Sequence, residues 1–185
     1  FDGATAVELA VCALSSGAGA VAPVLPASLF RREIFDEAGF FRDDLRSAED
    51  LEWLRRLAHA GIARSICASA RVSYRHFPDA PGSAIRKWFV YEKNTTRAGV
   101  RRAQQNAYLA ALTILLLMAA LSLPLATACA GVYWLARGVI DPVRRSRSLW
   151  WWKKAPAAFI YAAVLGPSLD LAKLAGIIVS LPQRK

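Results

Sequence analysis

The chain has 185 residues and carries 24 Lys/Arg against 14 Asp/Glu, a formal net charge of +10, with 55% apolar residues. Residues 1–106 hold fifteen Lys/Arg against twelve Asp/Glu (net +3), and residues 107–185 hold nine against two (net +7). The second part is apolar and basic at once, which points to a membrane with an anionic surface and excludes nucleic acid as partner: the basic clusters flank long apolar runs instead of sharing a folded face with stacking aromatics.

The length suits one domain plus a further element, and a start at Phe1 reads as a piece of a longer protein. Cys12, Cys67 and Cys129 are odd in number and lack paired spacing, so they predict neither a zinc site nor a disulfide framework. Buried small fillers in a reducing compartment is the expected role of all three.

Residues 1–26 are small and apolar, and Val7–Leu14 reads as a short buried helix or strand. No phosphate loop of the GxxxxGK[ST] or GxGxxG type is present. Pro26–Phe30 predicts an extended piece entering a helix over Arg31–Ala38, which Gly39 ends. Asp43 and Asp44 read as solvated loop acids.

A second helix is expected after Ser47, with Leu51, Leu54, Leu57 and Ala58 as its apolar face and Gly61 as its stop. Asp50 falls in its first turn, where free N–H groups and the helix dipole favour a carboxylate. Two readings of Asp50 stand side by side. One is the acid of a capping box, Ser47-x-x-Asp50; the other is a general base held at a helix N-terminus beside a cleft.

Ile62–Cys67 and Val72–Tyr74 read as two short strands, and Pro78–Gly82 as a loop. Ala84–Asn94 places Ile85, Trp88 and Phe89 on one helical face among Arg86, Lys87 and Lys93, either as an interfacial helix or as a surface helix packing its aromatics inward. Residues 84–106 as a whole are expected to form an amphipathic linker helix, polar and basic from Thr95 on.

Residues 107–185 are expected to form the membrane region. Residues 107–136 carry no charge. One straight helix of that length would reach about 45 Å, beyond the roughly 30 Å hydrocarbon core, so the segment is either one tilted or kinked span or a hairpin bent at Pro124. Residues 137–154 are a basic loop in which Trp150–Trp152 beside Lys153 and Lys154 suit the headgroup level. Residues 155–181 form a second apolar segment, interrupted by Asp170 and Lys173 at i, i+3 spacing, a pair that can neutralise itself and has either a structural or a functional role. Basic residues at Arg97, Arg101 and Arg102, in the loop, and at Arg184 and Lys185 would all lie on the cytoplasmic side, which favours a hairpin or re-entrant form for at least one segment.

The run Phe30-Arg31-Arg32-Glu33-Ile34-Phe35-Asp36-Glu37-Ala38-Gly39-Phe40, then Glu49-Asp50, then Arg56-Leu57-x-x-x-Gly61, then Val72-Ser73-Tyr74-Arg75-His76, resembles the C-terminal half of the catalytic domain of family 2 glycosyltransferases over residues 22–97. The resemblance implies an α/β fold, a partial GT-A domain over residues 1–106. It implies Asp50 as catalytic base, with Glu49 as its acceptor-orienting neighbour. It implies His76 as a ligand of a divalent metal, Mn or Mg, held mainly by an upstream half. Its partners would be a nucleotide-sugar donor, a lipid-linked or polysaccharide acceptor, and membrane lipids. The implied location is the inner membrane with the catalytic domain on the cytoplasmic side. The chain departs from the family pattern where Ala38-Gly39-Phe40-Phe41 stands for Gly-Gly-Phe-Asp. It also lacks a Gln-x-x-Arg-Trp motif, which favours single-sugar transfer over processive synthesis. Residues 1–48 hold no D-x-D motif, so these residues alone are not expected to hold a donor. The rival expectation is a non-catalytic membrane protein that uses its basic hairpin to bind lipid or a partner.

Overall fold

Thr5 and Glu8 start the first helix by satisfying each other's backbone: the Glu8 N–H donates to Thr5 Oγ1, and the Ala4 and Thr5 N–H groups donate to the Glu8 carboxylate. The computed structural model describes residues 1–20, 25, 28–67, 69–70, 72–146 and 149–181. Arg184, Lys185, Pro26 and the rest of the stretch 21–27 apart from Leu25 lie outside these, so the extended entry expected from Pro26 and the basic C-terminal end are not among the described residues. The helices are α1 (Ala6–Ser15), α2 (Glu33–Ala38), α3 (Glu49–His59), α4 (Pro81–Arg97), α5 (Arg102–Leu121), α6 (Leu123–Leu135), α7 (Asp141–Ser146), α8 (Trp150–Lys154) and α9 (Ala157–Ser180), and a π-helical turn (Ala136–Ile140) joins α6 to α7.

The expected α/β class is corrected. The chain is 70% helical, and the described residues contain no strand or sheet. Ile62–Cys67 and Val72–Tyr74 are irregular and mostly exposed. The physical reason is the absence of a pairing edge among these residues. A strand is stabilised by its neighbour's N–H and C=O groups, and the Val72–Tyr74 run finds one such contact, the Asp2 N–H donating to the Tyr74 carbonyl at 3.1 Å. With no partial GT-A sheet present, the 1–106 region is a set of helices and loops.

α1 is buried from Val7 to Leu14 and packs with Leu165 and Leu169 of α9, Trp151 of α8, and Ala84 of α4 in the main apolar cluster. Trp88 packs against the same cluster, which realises the inward-packing alternative for α4, while Ile85 stays exposed. α4 runs on to Arg97, and Thr95 and Thr96 are fully buried, so the expected linker from Thr95 shrinks to a turn over residues 98–101. Of the three cysteines, Cys12 is the buried filler expected, and burial pushes its thiol up to about 12. Cys67 is exposed and Cys129 is half-buried, against expectation.

Three helical stretches are long and apolar enough to cross a membrane: Arg102–Leu121, Leu123–Ser146 and Ala157–Ser180. They mark a membrane protein. The uncharged run 107–136 breaks at Ser122, which is extended (φ −158°, ψ 103°), and Pro124 sits in the first turn of α6, where its missing N–H is tolerated. α5 and α6 then pack against each other as the two legs.

One polar cluster ties the apolar helices together. Asp170 Oδ1 accepts from Lys173 Nζ at 2.6 Å and from the Tyr108 hydroxyl at 3.2 Å. Asp170 Oδ2 accepts from Arg137 Nε and from the Tyr133 hydroxyl, both at 2.7 Å. Arg137 also donates to Asp141 at 2.8 Å and to the Leu14 carbonyl of α1 at 3.3 Å. Glycines let the backbones close around it: a Cβ on Gly138 would meet the Ala163 carbonyl oxygen at 2.8 Å, and one on Gly166 the Arg137 carbonyl oxygen at 2.9 Å.

Gly176 plays the same part between α9 and α4. A Cβ there would meet the Phe89 carbonyl oxygen at 2.6 Å. Gly176→Ala is expected to destabilise the fold by about 1–3 kcal/mol through forced backbone separation. Gly82→Ala, with open space around its Cβ, should be neutral or slightly stabilising. Thermal unfolding of the detergent-solubilised variants checks the contrast.

Glu92 on α4 is 2% exposed and accepts from Gln105 Nε2 at 3.2 Å. Burial raises its carboxyl above the usual range, with Gln105, Lys173 and Arg101 opposing and Asp170 reinforcing. A raised carboxyl adds stability that is complete below its unfolded value and is lost as pH rises through its folded value. The native chain should therefore lose stability across that window, and Glu92→Gln should flatten the dependence. Unfolding midpoints over a pH series test it.

Candidate functional site

α3 projects the Glu49–Asp50 pair from an unusual start. Its N-cap is Ala48 in the left-handed region (φ 64°), and no side chain caps the helix. The Ser47 hydroxyl does not form the expected capping box. It accepts instead from Asn94 Nδ2 of α4 at 2.9 Å. Asp50 Oδ1 accepts from the Leu51 N–H at 2.8 Å, and Glu49 Oε2 is buried without a hydrogen-bond partner. A left-handed residue with a Cβ costs about 1–2 kcal/mol, which the docking of α3 onto α4 must offset. That docking is specific: Arg55 donates to the Gly99 carbonyl at 2.9 Å, and Leu51 packs on Leu45, Ala98 and Val100.

Gly61 (φ 72°) ends α3 as expected, with the Ile62 N–H reaching back to the Leu57 carbonyl at 3.0 Å. The buried face differs from the leucine stripe. Glu52, Trp53 and Leu57 are buried, while Leu51 and Leu54 are half-buried and Ala58 is exposed.

Trp53, fully buried, is the residue the periodicity missed. Phe30 and Phe41 stand 4.6 Å from its ring, Phe35 stacks on it at 5.3 Å, and its Nε1–H donates to the Gly39 carbonyl at 2.8 Å. Arg56 ties the same loop, bonding the carbonyls of Ala38 and Phe40 and pairing with Glu52 at 3.0 Å. Phe41 through its ring and Phe40 through its carbonyl thus hold the loop onto α3.

An open cavity of about 360 Å³ is lined by Leu25, Phe30, Phe41, Glu49 and Asp50. Tyr91 feels both carboxylates. Burial is the largest cause that raises its hydroxyl, Arg101 opposes it, and Asp50, Glu92 and Glu49 add to it. The Arg101 guanidinium, on a residue with φ 57°, lies 5.9 Å from the Tyr91 ring centre. Tyr91 is a neighbour of the acidic pair that no local spacing announces. The cavity therefore combines two carboxylates and an aromatic wall, a set suited to polar, hydroxyl-bearing ligands.

His76 is elsewhere in the packing. It is exposed, has φ 62°, and precedes Phe77, which belongs to the main apolar cluster with α1 and α9. Among the described residues no group of three or more His, Cys, Asp or Glu side chains could hold a metal ion. His59 lines a second cavity of about 330 Å³ with Glu37, Arg55 and Arg56. No family model, curated protein or solved structure matches this chain.

Trp53→Ala should destabilise the fold by about 3–5 kcal/mol, the range for emptying a buried aromatic site. Trp53→Phe keeps most of the ring packing and loses the Gly39 bond, a loss of about 1 kcal/mol. Chemical denaturation of both variants separates the two contributions.

Proposed function

We propose that the chain belongs to a membrane-attached glycosyltransferase in which Asp50 is the general base toward the acceptor. The observation that carries the reading is the Glu49–Asp50 pair on the wall of an open, aromatic-sided cavity. The order and spacing of the glycosyltransferase-like motifs support it independently. A sugar ring presents apolar C–H faces to aromatic rings and hydroxyls to carboxylates, and Phe30, Phe41 and the acidic pair offer both.

In the proposed reaction an Asp50 oxygen takes the proton of an acceptor hydroxyl. The acceptor oxygen forms a bond to the anomeric carbon of a nucleotide sugar as the bond from that carbon to the diphosphate oxygen breaks. The nucleotide diphosphate leaves with the bonding pair. Glu49 orients the acceptor. The acceptor is a lipid-linked or envelope saccharide brought to the site by membrane attachment, and the working location is the cytoplasmic face of the inner membrane.

One observation favours the non-catalytic alternative, in which the membrane region binds lipid or a partner and Asp50 only supports its helix: Asp50 Oδ1 already holds the Leu51 N–H. Asp50→Asn in the intact membrane-bound protein separates the two. Asn remains a competent helix-start residue, so stability should change by under about 1 kcal/mol. Sugar transfer should fall by about 10²–10⁴-fold, the contribution of a general base. Retention of most transfer activity would make Asp50 a helix-start residue and remove the main support of the glycosyltransferase reading.

A further inference from the structure

The three apolar helices are not equivalent. Only 6% of the apolar window of α5 and 11% of that of the Leu123–Ser146 stretch are buried within the protein, against 56% of that of α9. Ile114, Leu116, Leu117 and Leu121 on one leg and Leu123, Leu125 and Val132 on the other are exposed. Such an uncovered apolar surface requires a nonaqueous partner. Its base is ringed by cations suited to lipid phosphates. Arg101 precedes α5 and Arg102 begins it, and Arg144 and Arg145 follow α6 in α7, sharing the carboxylate of Asp141 with Arg137.

α9 has a different surrounding. α4 lies along it, from the cluster of Ala84 and Trp88 with Leu165 and Leu169 to the contact of Phe89 and Lys93 with Gly176. α4 carries exposed Arg86 and Lys87. If α9 crossed a bilayer, α4 would take those charges into the hydrocarbon with it, against a penalty for each. The buried side of α9 holds Asp170 and Lys173, and its free side shows an apolar stripe of Ile160, Val164, Leu171 and Ile178. A helix covered on one side and apolar on the other is suited to lying at the boundary of headgroups and acyl chains.

We propose that α5 and α6 form a hairpin that enters a lipid bilayer and returns to the face it entered, while α9 stays on that face, docked under α4 and α1, and does not cross. The Asp170 cluster then sits at the mouth of the hairpin, clamping Tyr108 of one leg and Tyr133 and Arg137 of the other to the docked helix. The inference rests on membrane attachment and is independent of the glycosyltransferase reading.

Single cysteines in a chain carrying Cys12→Ala, Cys67→Ser and Cys129→Ala test it, using sealed membrane vesicles of one orientation and a membrane-impermeant maleimide. Asp79→Cys before α4, Lys153→Cys before α9 and Leu181→Cys after α9 should be labelled to the same extent from the same side. Leu121→Cys at the hairpin tip should resist labelling from that side. Labelling of Leu181→Cys only after permeabilisation, in vesicles where Lys153→Cys reacts intact, makes α9 a third crossing and overturns the proposal. Free labelling of Leu121→Cys from the Asp79 side shows an uninserted hairpin and overturns it equally.

Discussion

The Asp170 carboxylate is the point on which the apolar half of the molecule depends. It is buried, and a buried carboxylate is tolerated only when paired and hydrogen-bonded. Its two oxygens receive two cations and two hydroxyls, drawn from α5, from α6 and its π-helical continuation, and from α9 itself. Each partner is placed by something other than the charge. The π turn carries Arg137, and Gly138 against Ala163 brings that turn within reach of α9. Arg137 extends the network to the Leu14 carbonyl, so the end of α1 is held by the same guanidinium. A cluster with all members satisfied is rigid, and it sets where the two apolar legs leave the rest of the protein.

The acidic pair of α3 depends on that framework at one remove. α4 is fixed on α9 at Gly176 and on α5 through the Glu92–Gln105 contact; its Asn94 bonds Ser47 just before α3, and the Ala98 and Gly99 carbonyls that follow it accept from Arg55 of α3. Those contacts hold Ala48 in a backbone region that a side chain disfavours, so Glu49 and Asp50 open the helix beside the cavity. Strain at one residue beside two carboxylates is a feature that surrounding packing must maintain, and such features concentrate at working sites. The aromatic group around Trp53 supplies the opposite support, from beneath the helix.

Helices and their ends were largely legible from local signals, because helix formation is decided within a few residues. Gly39 and Gly61 ended the helices expected of them, and the break in the uncharged run fell beside Pro124. The capping-box signal was read at the wrong helix. Thr5-x-x-Glu8 forms one, while Ser47-x-x-Asp50 does not, because Asn94, far away in sequence, competes for the Ser47 hydroxyl. The leucine stripe of α3 misplaced its buried face, since the three-residue repeat of Leu51, Leu54 and Leu57 lost to one large ring, Trp53, with Phe30, Phe35 and Phe41 to pack on.

The sequence alone determined what depends on composition and short spacing: an apolar, basic second half, a charged pair at i, i+3 on its last helix, and an acidic pair at a helix start. The Asp170–Lys173 contact at 2.6 Å follows directly from that spacing. Only the tertiary structure decided that Asp170 also gathers Arg137, Tyr108 and Tyr133, that Tyr91 neighbours the acidic pair, that α9 is half covered while α5 and α6 are bare, and that the expected strands find no sheet among the described residues. The reason is the same in each case. A helix closes its own hydrogen bonds over a few residues, whereas a strand, a charge cluster and a covered face each need partners from distant parts of the chain, and one sequence read in order does not say which distant part arrives.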